Sequence, residues 1–234
     1  TVCRRGEVNQ SISIRDLKRF ASENDLDRLW EKHSVKKPST GKKAAVIGSG
    51  PAGLTAAYYL ANQGHEVTVF ESLPLAGGMM RFGIPKYRLP RNILDSEIRD
   101  IENRGVEIKT NMRIESIDNL FEQGYNAVLV AVGTQKGQKL SIPGADNEGV
   151  FIGVDFLRDV NLWEKVAIGK RIVVLGGGNV AFDCARVARR LGAEQVHIAC
   201  LEGRADMLAS RDEIEQGEEA VSYTHLTLPT NREV

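Results

Sequence analysis

Val46-Ile47-Gly48-Ser49-Gly50-Pro51-Ala52-Gly53-Leu54 is the stretch that decides the fold of this chain. Residues 44–47 form a short apolar run of strand character, and residues 54–62 are rich in alanine and helical in composition. Between them lie glycines at G-x-G-x-x-G spacing. Gly48 permits the tight turn, Gly50 lets the main chain approach a pyrophosphate, and Gly53 lets helix and strand pack closely. The N-terminus of the helix, which opens with Pro51 and Ala52, then offers free N–H groups (none from the proline) and the positive end of a dipole to the phosphates. The spacing alone recurs by chance in turns, but here the next residues complete the unit. Gly64 stands where a helix C-cap needs a left-handed residue. A second strand, 66–70, closes at Glu71, which lies 23 residues after Gly48, where a carboxylate can accept both ribose hydroxyls.

The same pattern recurs downstream. Ile172-Val173-Val174-Leu175 runs into Gly176-Gly177-Gly178-Asn179-Val180-Ala181, then a helix to Leu191, a capping Gly192 and a strand at 196–199. Gly48 and Gly176 are 128 residues apart, and so are Gly64 and Gly192. A repeat that keeps both the turn and the helix length marks two copies of one supersecondary unit. Gly176, Gly178 and Ala181 carry the second fingerprint, with alanine in the third place. Asn179 either caps the helix or meets a phosphate. Further strands are expected at 106–109 and, buried, at 127–132, with a helix at 93–104. Strands alternating with helices give an α/β fold built on parallel sheets.

Composition narrows the function. The 234 residues carry 31 basic and 31 acidic side chains, so no global field draws the chain to nucleic acid or to an anionic membrane. No apolar run approaches the ~20 residues of a membrane span. Cys3, Cys184 and Cys200 form no C-x-x-C pair, which suits a reducing, cytoplasmic setting. Residues 1–40 are polar, with Ile14, Leu17 and Phe20, then Leu26, Leu29 and Trp30, at helical spacing. Residues 34–43 read as a linker rich in lysine.

The ligand of the first turn is indicated by Pro74-Leu75-Ala76-Gly77-Gly78-Met79-Met80-Arg81-Phe82-Gly83-Ile84-Pro85. A glycine doublet centred on Gly78 lets the main chain lie against a large planar ligand, an excursion that a plain NAD domain does not need. Met79 and Met80 either reach that ligand or fill core space. Arg81 either meets a phosphate or the reduced flavin, or forms a salt bridge. With Val130-Ala131-Val132-Gly133-Thr134 and Ile142-Pro143-Gly144, the pattern resembles the FAD domain of two-dinucleotide flavoproteins.

The order CRRGEVNQSISIRDLKRF, GSGPAG, GGMMRFGIPKYRLP, AVGT, IPG and GGGNVAFDCARVARRLGA over residues 1–220 resembles the glutamate synthase small-subunit family. That family includes the flavin half of dihydropyrimidine dehydrogenase and related NAD(P)H:ferredoxin-type subunits. The resemblance implies two Rossmann-like domains in a glutathione- and thioredoxin-reductase-like arrangement. FAD falls to the first turn and NAD(P)H to the second, with hydride passing between them and electrons leaving to an iron–sulfur acceptor. It implies domains at 41–150 (FAD) and 151–220 (NAD(P), incomplete), after a helical remnant, 1–40, of an iron–sulfur domain. Cys3 would ligate a 4Fe-4S cluster in an intact parent, where the other thiolates lie upstream. The implied partner is a redox subunit or a ferredoxin-like iron–sulfur protein.

Many NADPH-using members of that family carry an Arg-Arg pair where this chain has Leu201-Glu202. A carboxylate at 202 bonds free ribose hydroxyls and repels a 2′-phosphate, which favours NADH; Arg204 nearby could still reach a phosphate, and Glu202 could equally be a solvated charge. No acid–base catalyst is required, because hydride transfer is the cofactors' chemistry. Residues 221–234 bear no relation to the preceding pattern. They read as a translated sequencing adaptor or as an unusual loop, and on the first reading the chain is a fragment that binds FAD poorly and turns over little NADH. Three other readings stand beside this one: a thioredoxin-reductase-like dithiol enzyme, which needs a C-x-x-C, a flavin-bearing assembly module without catalysis, and a dehydrogenase whose first turn holds NAD.

Overall fold

The computed structural model describes residues 3–25, 35–163, 166–203, 206–220 and 226–227. Leu26, Leu29, Trp30 and Arg204 lie outside them. The chain opens with a single 3-10 turn, Arg4–Glu7, and helix α1 (Ile14–Glu23). Its expected apolar face exists, but Ile14, Leu17 and Phe20 are all exposed, and the helix touches the rest of the chain through an ion pair from Arg15 to Asp212. From Val35 onward the linker is exposed yet not loose. Lys37 N–H donates to Asn62 O at 2.8 Å and Thr40 N–H to Gly64 O at 2.9 Å.

The first unit contains β1 (Lys43–Ile47), α2 (Pro51–Asn62), β2 (Glu66–Phe70), α3 (Met79–Phe82), α4 (Arg91–Asn103), β3 (Val106–Lys109), α5 (Asp118–Glu122) and β4 (Ala127–Val130). The strands form a parallel sheet in the order β3-β2-β1-β4, with Val46 opposite Val69 and Leu129. Val46, Val67 and Val69 bury one face against Ala57 and Ala61 of α2. Ala45 and Phe70 bury the other against Leu120 of α5. Small residues on α2 are what let it lie so close to the sheet.

The second unit contains α6 (Gly153–Trp163), β5 (Arg171–Leu175), α7 (Asn179–Arg190), β6 (Gln195–Cys200), α8 (Arg211–Ala220) and β7 (Leu226–Thr227). Its sheet is also parallel, in the order β5-β6-β7. The two residues of β7 fall within the segment whose sequence departs from the pattern, and they pair with Ala199 and Cys200. Phe182 of α7 is 1% exposed at the centre of this core. Gly217 of α8 faces it, and a Cβ there would overlap the Phe182 ring, so glycine sets the spacing of the two helices.

One expectation fails. The strand expected to be buried at 127–132 is shorter, and Leu129, Val130 and Val132 are 41%, 54% and 53% exposed. The reason is its place: β4 pairs only with β1 among the described residues and forms the edge of the sheet. Strand β5 is likewise apolar but open, with Val173 61% exposed. Among the described residues no helix is long and apolar enough to cross a membrane.

Replacing Phe182 by alanine removes the largest fully buried side chain among the described residues, and we expect it to cost about 3–5 kcal/mol in chemical denaturation. A loss below about 1 kcal/mol would show that α7 and α8 do not share this core.

Candidate functional site

The two glycine corners have the same backbone geometry. Gly48 and Gly176 take φ of +104° and +128°, values that L side chains rarely adopt. Each donates its N–H across the sheet at 2.8 Å, Gly48 to Phe70 O and Gly176 to Ala199 O. The N-cap residues Gly50 and Gly178 are both extended, and no side chain caps either helix. Pro51 occupies the first turn of α2, where its missing N–H costs nothing. A Cβ on Gly50 or Gly178 would meet nothing within 4 Å, so the space before each corner is open. A Cβ on Gly53 would instead overlap the Gly48 carbonyl oxygen, which is the close approach foreseen for the third glycine. Ala181, in the equivalent place, is buried, and its Cβ lies 3.9 Å from where a Cβ on Gly176 would stand. Val180 beside it is half exposed. These uncapped, open helix starts fit a pyrophosphate each.

Several expected ligand contacts are redirected inward. Glu71 is 2% exposed, and its carboxylate accepts from the Ser49 N–H at 3.0 Å, the Ser49 hydroxyl, the Leu73 N–H at 2.9 Å and the Ser72 hydroxyl. It ties Ser49 of the first turn to the end of β2, since these donors lie nearest, and a ribose would have to turn it outward. Arg81 is a salt bridge rather than a free cation: its buried guanidinium donates to Ala76 O and pairs with Asp95. Burial makes that choice, because an unpaired guanidinium in the interior is costly. Asn179 does not cap its own helix; its Oδ1 accepts from Ser210 N–H at 2.9 Å and, with the Ala209 N–H on Gly177 O, ties the segment before α8 to the second corner.

Gly78 has a use that the sequence does not disclose. At φ +53°, its position would put a Cβ 2.6 Å from the Gly50 Cα, and the Gly77 N–H donates to Ser49 O. The doublet therefore packs against the first corner itself. Met80 packs with Leu54 and Leu94, and Met79 is 36% exposed. Gly133, at φ +65°, and Thr134 are exposed just beyond β4, bordering the first corner through Ala131, whose carbonyl crowds Gly48. At the second corner, Oε2 of Glu202 stands 3.4 Å from where a Cβ on Gly177 would be, so this carboxylate does lie beside the turn.

The thiols divide by environment. Burial, then the Asp183 charge, pushes the Cys184 thiol up to about 12, and burial first also raises Cys200. Cys3 is held below the ordinary thiol range by backbone N–H groups, first that of Ile12 and then those of Arg5 and Gly6. Among the described residues no group of three or more His, Cys, Asp and Glu side chains is arranged to hold a metal ion.

The family model described as pyridine nucleotide-disulphide oxidoreductase matches residues 42–222, which takes in both corners. The chain belongs to that family. The chain is 43% identical to the NADP(+)-dependent formate dehydrogenase subunit beta of Moorella thermoacetica, over 97% of this chain and 36% of that protein. It is 36% identical to the NADPH glutamate synthase small chain of Bacillus subtilis, over 80% of this chain and 40% of that one, as the glutamate-synthase-like motifs imply. FprA of Mycobacterium tuberculosis, solved in complex with NADPH, superposes with a TM-score of 0.65 at 25% identity, over 79% of this chain and 48% of that chain. The thioredoxin reductase of Lactococcus lactis, at 21% identity and a TM-score of 0.56 over 79% of this chain and 64% of that chain, shares the fold. The chain thus spans well under half the length of the two relatives.

Gly53→Ala should lower stability by about 1–3 kcal/mol, because it drives a methyl into a backbone carbonyl; an unchanged melting temperature would refute the close approach. With a thiol reagent at mildly alkaline pH, we expect Cys3 to react at once and Cys184 and Cys200 only after denaturant is added. Three equally fast thiols would contradict the burial.

Proposed function

We propose that this chain is the dinucleotide-binding part of an NAD(P)H-dependent flavoenzyme that passes electrons from nicotinamide through FAD to an iron–sulfur acceptor. The observation that carries the reading is the pair of open, uncapped strand-to-helix corners of equal geometry. One pyrophosphate at each brings two dinucleotides to one chain. FAD, held at Gly48–Gly53, and a nicotinamide, held at Gly176–Ala181, together supply hydride transfer. The residues supply binding and orientation. Helix α2 and helix α7 stabilise the two phosphate groups, and Gly78 keeps the main chain tight on the first corner. Gly133 and Thr134 form the rim beyond β4, and Glu71 turns out to the ribose.

Glu202 favours NADH, since a carboxylate beside the second turn repels a 2′-phosphate. The names of both relatives point to the phosphorylated cofactor, so the residue and the relatives make opposite forecasts that one substitution can separate. Cys3, whose thiol is held below its ordinary range by neighbouring backbone groups, is the cluster ligand of a longer parent. The exposed apolar edges β4 and β5 support the view that the natural chain continues into segments that cover them. A redox subunit or ferredoxin-like protein is the proposed partner, and the proposed setting is the cytoplasm.

The reading is tested by loading the full natural chain with FAD and mixing it rapidly with NADH. Bleaching of the flavin's visible absorbance supports it. Bound FAD that NADH leaves oxidised supports the assembly module, and extraction of a nicotinamide from the first corner supports the dehydrogenase. Glu202→Arg should shift preference toward NADPH by about tenfold or more, in the ratio of kcat/KM values; an unchanged ratio would remove Glu202 from cofactor choice.

A further inference from the structure

The segment that follows Gly78 leaves the first unit and enters the second. Pro85 is buried, and the Arg88 and Leu89 N–H groups both donate to its carbonyl, at 3.0 and 3.1 Å, which folds 85–89 into a tight loop. At the base of the loop, Arg91 donates to Met80 O, Ile84 O and the Asn161 side chain of α6, while Asn161 donates back to Phe82 O. At its tip, the Tyr87 ring packs on the core of the second unit, and the guanidinium carbons of Arg186 and Arg190 lie 4.6 and 3.9 Å from its centroid. The Tyr87 hydroxyl donates to Asp183 at 3.1 Å. Arg88 joins two acids of the second unit, Asp183 at 2.7 Å and Glu213 at 2.9 Å, and Arg186 shares Glu213 at 3.3 Å. Asp183, Arg186 and Glu213 are all nearly buried.

Buried charges of this kind contribute little net stability compared with an apolar core, but they tolerate only one arrangement of their partners. What they fix here is a distance. Gly78 rests on Gly50 of the first corner, nine residues before Tyr87. Asp183 lies on the second turn of α7, whose first residue, Asn179, follows the second corner. Glu213 belongs to α8, whose approach Asn179 pins through Ser210.

We propose that residues 82–91 are a strap that registers the two dinucleotide corners against each other, with Tyr87 and Arg88 as positioning residues for hydride transfer. This rests on the flavin and nicotinamide reading above. Neither residue touches a reacting atom; both act by holding α7 at a fixed distance from the first corner.

The test uses the full-length protein loaded with FAD, as wild type, Arg88→Ala and Tyr87→Phe, the last keeping the ring and removing only the hydroxyl. Hydrogen exchange by mass spectrometry is read over 82–91 and over the two sheets. Flavin reduction is followed with NADH across its concentration range and, separately, with dithionite. The expected result for Arg88→Ala is faster exchange in the strap with the sheets unchanged. The limiting rate with NADH should fall about ten- to a hundredfold, while NADH affinity and dithionite reduction are retained. Tyr87→Phe should show the same pattern in smaller measure. If Arg88→Ala fails to fold, Tyr87→Phe decides the matter alone. Unchanged strap exchange, or a limiting rate equal to wild type, would overturn the strap. Failure of NADH to reduce the wild-type flavin would instead overturn the functional reading, and the exchange measurement would still report on the strap.

Discussion

The architecture depends on the contact between the start of α2 and the end of β1. The Gly48 carbonyl occupies the space that any side chain at Gly53 would need, and Gly48 itself turns the chain through a left-handed conformation while Ala131, just past β4, crowds it. Only when both positions lack a Cβ can the helix begin so near the strand that its first amides face outward together. The same constraint sets the second corner, relaxed by one methyl at Ala181. Everything else is arranged around these two points. The valines of β1 and β2 and the alanines of α2 form the flat support behind the first, and Phe182 and its neighbours form the support behind the second.

Polar groups near the corners are used mostly to hold them. The Glu71 carboxylate anchors Ser49 of the first turn, Arg81 braces the loop that carries Gly77 and Gly78, and Asn179 ties down the approach to α8. This follows from burial. A charged or amide group placed beside a turn full of main-chain donors satisfies those donors first, because leaving them unmet in the interior costs more than forgoing a solvent-facing ligand. A ligand arriving at such a corner therefore competes with internal bonds already made.

The strap shows how two sheets with separate cores become one device. Tyr87 belongs by sequence to the first unit and by contact to the second, so packing crosses the boundary expected at residue 150. The exposed apolar strands β4 and β5 are the complement of this. Their sequences are those of interior strands, and among the described residues they lie at the edges of their sheets.

The sequence by itself determined the α/β class, both glycine corners, the register of the repeat and the capping roles of Gly64 and Gly192. Each of these follows from backbone sterics within a few neighbouring residues, which glycine spacing and apolar runs write directly into the text. Only the tertiary structure decided where Glu71, Arg81 and Asn179 point, that Gly78 meets Gly50, that β4 is open, and that Tyr87 and Arg88 cross to Asp183 and Glu213. Those facts join residues up to about a hundred and twenty-five positions apart. A polar side chain's choice among partners is set by which donors and acceptors folding brings within reach, and spacing along the chain carries no record of that.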